Sequence, residues 1–342
     1  MQATLKQKGR YCIKGANDSI DKLKENMNHL TTITDFIRHA CSQFTSANLY
    51  YGHGTDNALD DAAALVLGLL NLPYDLHPQY FSATLSEQER QQLLEGIDQR
   101  IHKRLPVPYI THRTLYGNVE FYIDQRALIP RSPIAELIEN NLEPWWQHDS
   151  PQNILDLCCG SGCLGILAKL YNPQSQLTLA DIDPQALEVC AINVKRHHLN
   201  HDPNLQIIQS DLFSNIKQRY DWIICNPPYV ENAEMDTIAA EYHHEPRHAL
   251  TSGEDGLDFT RALLKQASQY LTERGLLILE VGMSWSQLEQ AYPQIDFDWL
   301  SLKGVAKAFV LLALMNSMHG NWLNSSSLSS YHALDSTALF CP

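Results

Sequence analysis

Two short stretches hold residues whose types and order suggest chemistry. The first, Ile223-Ile-Cys-Asn-Pro-Pro-Tyr-Val230, reads as an apolar strand that stops on an asparagine, two prolines and a tyrosine. Pro227 and Pro228 lack amide hydrogens and fix φ, so the turn is stiff and offers carbonyls without donors. The side-chain carbonyl of Asn226 and the main-chain carbonyl of Pro227 then make a rigid acceptor pair suited to a planar NH₂ group. With both hydrogens held, the nitrogen faces a third direction. An amide or aromatic-amine nitrogen is a weak nucleophile because its lone pair is delocalised. Fixed acceptors favour pyramidal geometry as positive charge develops on it. Positioning against an activated methyl supplies much of the remaining gain. Tyr229 is expected to cover the planar group and to favour a sulfonium through its ring face. Taken alone, the tetrapeptide also reads as a plain strand-ending turn.

The second stretch, Asp156-Leu-Cys-Cys-Gly-Ser-Gly-Cys-Leu-Gly165, stands where a strand should pass into a helix. Gly160 to Gly165 matches G-x-G-x-x-G, and Asp181 near the end of the next strand could accept from both hydroxyls of a ribose. A dinucleotide is one reading. Against it, Asp156 would repel a pyrophosphate but attract a cationic amino-acid moiety, which suits S-adenosylmethionine. Hydride transfer also has no use for Asn-Pro-Pro-Tyr. Gly160 and Gly162 alone fit an ordinary tight turn. Asp156, Asp181 and Ser210-Asp211-Leu212 add acids at the ends of three expected strands, on the edge where open α/β sheets bind ligands.

Those residues need elements to hold them. Residues 30 to 105 read as helices, with Ile33, Phe36, Ile37, Ala40 and Phe44 at helical spacing and a second apolar segment from Ala62 to Leu72 stopped by Pro73. Ser86 and Glu89 form a capping-box pattern, after which Leu94, Ile97, Ile101 and Leu105 share a face. Val119 to Ile123 alternates as a strand, and Ser132-Pro133 opens a hinge helix through Leu142. From Asn153, apolar runs at Ile154–Leu157, Leu177–Ala180, Leu205–Ile208, Trp222–Cys225 and Leu276–Val281 alternate with helical stretches, which predicts a mostly parallel sheet covered on both faces.

Composition narrows the function classes. The 342 residues suffice for two domains, and with 44% hydrophobic and 19% charged residues the chain is of ordinary globular type. No run of ~20 apolar residues suggests a membrane span. The basic start at Lys6, Lys8, Arg10 and Lys14 runs into a polar stretch from Asn17 to Asn28, not into the apolar core of a signal peptide, so a cytoplasmic location is expected. Eight cysteines, three of them at Cys158, Cys159 and Cys163, are read as reduced thiols, since no second pair completes a zinc site and no secreted disulfide framework is apparent. The fifteen histidines have no metal-ligand spacing, so no metal is expected and most histidines are expected to be solvated. The net charge of −14 makes extended nucleic acid a poor partner and a basic protein a better one.

At these residues the sequence resembles the class I methyltransferases and, within them, the HemK-like glutamine methyltransferases. The resemblance runs over roughly residues 29 to 315. It rests on Tyr51-Gly-His-Gly-Thr-Asp56, Leu128 to Ile138, Asp156 to Gly162, Asn226 to Val230, Glu245-Pro246 and Gly253-Glu-Asp-Gly-Leu257. It implies an α/β, Rossmann-like sheet with a small N-terminal helical domain. It implies that Asp156, Cys158, Gly160, Gly162, Asp181, Ile182, Asp211, Leu212 and Asn226 surround S-adenosylmethionine. Asn226, Pro227, Pro228 and Tyr229 would hold a glutamine amide. Pro130-Arg-Ser-Pro-Ile134 and Cys158 resemble the branch acting on large-subunit ribosomal protein L-three more than the release-factor branch. The matching division is an extension over 1–28, expected to be flexible; a helical substrate-recognition domain, 29–112; a hairpin and hinge helix, 113–143; the methyltransferase domain, 144–315; and a serine-rich tail, 316–342. Leu302 to Ala308 lacks the family's glycine-rich, acidic turn. A release factor, an adenine amino group, or cofactor binding without turnover in ribosome assembly stay open as alternatives.

Overall fold

The computed structural model describes residues 29–293, 295, 297–302 and 305–313. The extension over 1–28 and the serine-rich tail lie outside the described residues. The chain divides into two compact units between Arg113 and Thr114.

The first unit is helical: α1 (Ile33–Ser46), α2 (Ala58–Leu69), α3 (Glu87–His102) and the short α4 (Val107–Thr111). α1 opens on a Thr32–Asp35 capping box and buries Ile33, Phe36, Ile37, Ala40 and Phe44, the stripe read from its spacing. α2 starts four residues before the apolar run, because the Asn57 side chain accepts from the amides of Leu59 and Asp60 and so fixes the first turn there. The Ser86–Glu89 capping box of α3 forms as expected. Its inward face is a correction: Leu93, Gly96, Ile97 and Arg100 are buried, so of the expected stripe Ile97 holds, Leu94 and Ile101 pack only at the margin, and Leu105 lies beyond the helix end, after Arg104 at φ 56°. The stripe is rotated because Arg100, only 2% exposed, donates through Nε to Asp61 Oδ2 at 2.8 Å and through a terminal nitrogen to the Tyr50 carbonyl at 2.7 Å. Thr55 donates to the other Asp61 oxygen at 2.8 Å, so this buried pair ties down the segment of the Tyr51–Asp56 motif. His53 there is buried, unlike the solvated role expected of most histidines.

The second unit begins with a hairpin, β1 (Thr114–Tyr116) and β2 (Val119–Phe121), and the hinge helix α5 (Ile134–Glu139). α5 ends before the expected Leu142, since Asn141 and Leu142 take φ of 48° and 57°, which no right-handed helix accommodates. The central sheet comprises β3 (Asn153–Leu157), β4 (Gln176–Asp181), β5 (Leu205–Gln209), β6 (Tyr220–Cys225), β7 (Leu271–Glu280), β8 (Asp298–Leu302) and β9 (Val305–Ala313), in the order β5-β4-β3-β6-β7-β9-β8. β5 through β7 in that order are parallel, and β9 runs antiparallel to both its neighbours. The helices α6 (Cys163–Tyr171), α7 (Pro184–Arg196), α8 (Asp258–Leu264), α9 (Ala267–Tyr270) and α10 (Trp285–Ala291) follow strands of this sheet. Side chains alternate between two cores, one holding Ile154, Trp222, Ile224 and Ile278, the other Leu155, Leu157, Ile223 and Leu279. Both faces are therefore covered, as the alternation of strands and helices predicts.

From β3 the chain steps outward to β4 and β5, then returns to β6 on β3's other side. The connections reverse direction between β3 and β6, which opens a crevice at the carboxyl ends of those strands.

Candidate active site

Register brings the strand ends into line. Leu157 pairs with Ala180 on one side and Cys225 on the other, and Cys225 pairs with Leu279. Cys158, Asp181, Asn226 and Glu280 therefore stand side by side at the carboxyl edge of the sheet. Asp156 is 1% exposed; its Oδ2 accepts from the Gly165 amide at 2.7 Å, and its Oδ1 has no hydrogen-bond partner among the described residues. Burial lifts its pKa to about 7, against the pull of the Gly165 amide, and the Asp181 charge adds to the rise.

The glycines divide by role. A Cβ on Gly165 would stand 2.4 Å from Leu179 Cδ2 and 2.8 Å from Asp156 Cβ, so α6 packs against the sheet only with glycine there. A Cβ on Gly162, at φ +78°, would stand 2.7 Å from Cys190 Sγ. Gly160, at φ +53°, faces open space: a Cβ there would meet nothing within 4 Å. Its amide instead donates to Asp181 Oδ2 at 2.8 Å, while Asp183 N donates to Asp181 Oδ1 at 2.9 Å. Burial raises the Asp181 pKa against these two donors. Beside it Ile182 is 54% exposed, an apolar side chain left on the site edge. Asp211 is exposed past the end of β5, and Leu212 follows with φ 48°, its carbonyl accepting from Ser210 Oγ at 2.8 Å.

The set named from sequence thus gathers on one edge of the sheet. It fits a nucleoside that carries a cationic amino-acid group. The unpartnered buried oxygen of Asp156 suits the cation, the remaining lone pairs of Asp181 suit ribose hydroxyls, Ile182 offers an apolar face to a base, and the backbone at Gly160 is open to close approach. The cysteines among the described residues are free thiols: Cys158 lies against Cys225, Cys159 against Cys190, and Cys163 is 3.1 Å from Ser161 Oγ. Burial raises the pKa of the Cys163 thiol. Among the described residues no group of three or more His, Cys, Asp or Glu is arranged to hold a metal ion.

Across the crevice, neither the side-chain amide of Asn226 nor the carbonyl of Pro227 has a hydrogen-bond partner among the described residues. The chain on either side is tightly held. Tyr229 N and Val230 N both donate to the Leu250 carbonyl, at 3.0 and 2.8 Å, and Ser284 Oγ donates to the Tyr229 carbonyl at 3.2 Å. A Cβ on Gly256 would stand 2.2 Å from the Tyr229 carbonyl oxygen, and one on Gly282 would stand 2.5 Å from Tyr229 Cε2. The Tyr229 hydroxyl donates to Glu280 Oε1 at 2.8 Å, and burial, followed by the Glu280 charge, holds its pKa well above the ordinary value.

Two motifs singled out in sequence meet behind this loop. Arg131 donates to both Glu245 oxygens, at 2.6 and 2.8 Å, and its guanidinium lies 5.2 Å from the Tyr242 ring centroid. The Ile129 amide adds a third donor to Glu245 at 3.0 Å. Sequence reasoning assigned no role to Glu280, Gly282 or, within the quoted Gly253–Leu257 motif, Gly256; the available signal was a lone acid inside the apolar run Leu276–Val281, two residues before Gly282.

A mostly parallel sheet with a glycine turn and a bare acceptor pair at its reversal point defines a methyltransferase domain, and the family model described as "Methyltransferase small domain" matches residues 137–291. The chain is 43% identical over 292 residues to the ribosomal protein uL3 glutamine methyltransferase of Neisseria meningitidis serogroup B, covering 85% of this chain and 95% of that one. It is 42% identical to the protein of the same name from Neisseria gonorrhoeae, over 85% of this chain and 97% of that one, and 40% identical to that of Francisella tularensis, over 86% and 94%. The chain belongs to the family of ribosomal protein uL3 glutamine methyltransferases.

Proposed function

We propose that this protein methylates the side-chain amide nitrogen of a glutamine in ribosomal protein uL3, the L-three of the large subunit. The observation that carries the reading is the rigid, unengaged acceptor pair of Asn226 and Pro227 beside a cofactor-shaped edge. When bound, S-adenosylmethionine supplies an activated methyl group. Asp156 would hold its cationic amino-acid end, and Asp181 its ribose, with Cys158, Gly160, Gly162, Ile182, Asp211 and Leu212 around it.

Asn226 Oδ1 and the Pro227 carbonyl accept the two hydrogens of the glutamine NH₂, Pro228 keeps the turn stiff, and Tyr229 covers the amide plane. Held this way, the nitrogen cannot turn its hydrogens toward the incoming carbon, and the acceptors favour the charge it gains. It ends with one methyl and one hydrogen, the other hydrogen leaving as a proton. The helical N-terminal region is assigned to recognition of the substrate protein, and the acidic character of the chain favours a basic ribosomal protein. No helix among the described residues is long and apolar enough to cross a membrane, and a cytoplasmic location goes with a ribosomal substrate.

The test is Asn226→Ala. Turnover on uL3 should fall by about a hundredfold or more while cofactor affinity stays near wild type, because one of two acceptors for the reacting group is gone. Near-normal turnover would remove Asn226 from the site.

A further inference from the structure

We infer that Glu280 is a positioning residue for methyl transfer, acting on the reacting amide through Tyr229. The inference rests on the functional reading above and adds to it a residue from a strand with no part in the glycine turn or the Asn-Pro-Pro-Tyr loop.

β6 and β7 are parallel with Cys225 opposite Leu279, so Asn226 and Glu280 stand at one level at the carboxyl edge. By alternation Glu280 points to the same side as Leu276 and Ile278, the side on which Asp156 follows Ile154. Two buried carboxyl groups thus close β3 and β7 on one face of the sheet. Each has one buried oxygen with no hydrogen-bond partner among the described residues; the other oxygen accepts from the Gly165 amide in Asp156 and from the Tyr229 hydroxyl in Glu280.

Burying an acid at the end of an apolar strand is unfavourable, and burial does raise the Glu280 pKa. The Arg131 charge favours the ionised form of Glu280, but both terminal nitrogens of Arg131 donate to Glu245, which is its hydrogen-bonded counterion. Glu280 Oε1 accepts from the Tyr229 hydroxyl at 2.8 Å, the Ser132 side chain also lies close enough to favour the Glu280 charge, and the buried Oε2 has no hydrogen-bond partner among the described residues. The bond from Tyr229 holds one end of the ring, Gly282 receives its edge, and Ser284 and Gly256 fix its backbone. Without Glu280 the ring keeps its backbone anchors and its packing against Gly282 but loses the hydrogen bond that fixes its hydroxyl end. A side chain whose only task was filling space would be apolar at this position.

A double-mutant cycle on the purified full chain, with uL3 as substrate, tests this. Glu280→Ala should lower kcat about tenfold to a hundredfold, with KM for uL3 and cofactor Kd within about twofold of wild type. Tyr229→Phe should lose a similar factor, and the double variant should be no slower than the slower single one, because one hydrogen bond is being removed in each case. Glu280→Gln keeps an acceptor oxygen and should restore kcat to within about threefold of wild type. Multiplying losses in the double variant, or wild-type kcat in Glu280→Ala, would overturn the inference. If Glu280→Ala does not fold, the remaining pair decides: a slow Tyr229→Phe with a near-normal Glu280→Gln supports it, and the reverse overturns it. A wild-type protein that transfers no methyl to uL3 contradicts the functional reading itself, which separates the two failures.

Discussion

Asp156 makes the cofactor site sensitive to pH in a way that can be worked out in advance. Its pKa in the free protein is about 7, raised from an ordinary 3.8 by burial. A cation paired with the unpartnered Oδ1 favours the ionised form and lowers that pKa on binding. At pH 6, about nine-tenths of the free protein carries the proton, so binding should release about 0.9 proton, and about 0.5 at pH 7. Affinity for S-adenosylmethionine should therefore fall about fivefold from pH 7 to pH 6 and approach tenfold per unit below that, 1.36 kcal/mol for each unit. Above pH ~7.7 the α-amino group of the ligand titrates as well, so the comparison belongs between pH 5.5 and 7.

Isothermal titration calorimetry in buffers of different ionisation enthalpy measures both affinity and proton release. In Asp156→Asn the affinity should be lower and flat across this range. Stability has the opposite sign: a carboxyl whose folded pKa lies above its unfolded value favours the folded state at low pH, and that contribution is lost as pH rises from 3.8 to 7. The full loss is up to about 4 kcal/mol. Asp156→Asn without ligand should therefore be at least as stable as wild type at pH 8 while binding more weakly. Proton release near zero at pH 6, or an unchanged pH slope in Asp156→Asn, would refute this reasoning.

Two further substitutions probe the scaffold. Gly282→Ala drives a Cβ to 2.5 Å from Tyr229 Cε2 at a residue with φ +52°, so melting temperature and kcat should both fall, the stability by about 1–3 kcal/mol; wild-type values for both would show that the ring is not seated as described. Arg100→Leu leaves Asp61 buried without its cation and should cost about 3–5 kcal/mol in urea unfolding, much of it recovered in Arg100→Leu with Asp61→Leu; a single-variant loss under about 1 kcal/mol would contradict the burial of the pair.

Much of the site can be read from sequence because its parts are local. The glycine turn and Asn-Pro-Pro-Tyr each lie within a few residues, and strand ends can be placed from short apolar runs. What could not be read depends on distance along the chain or on a residue acting against type. Arg131 and Glu245 are 114 positions apart, so each motif was visible but not their bidentate pairing. Arg100 reads as solvent-facing by type, so the apolar residues of α3 point one step around from the face that is buried. Glu280 ends a run that reads as a buried strand, and only the parallel register with β6 shows that it stands beside Asn226. The antiparallel β9 and edge β8 lie past the last apolar run read as a strand, and the sheet's strand order follows from crossovers that spacing does not encode.

The most direct test is to incubate the purified protein with S-adenosylmethionine carrying a labelled methyl, together with uL3 and release factors in separate reactions, and to map the product by peptide mass spectrometry. One labelled methyl on the side-chain nitrogen of a single uL3 glutamine, absent with Asn226→Ala, is the predicted result. Label confined to a release factor, or none on any glutamine despite proven cofactor binding, would contradict it.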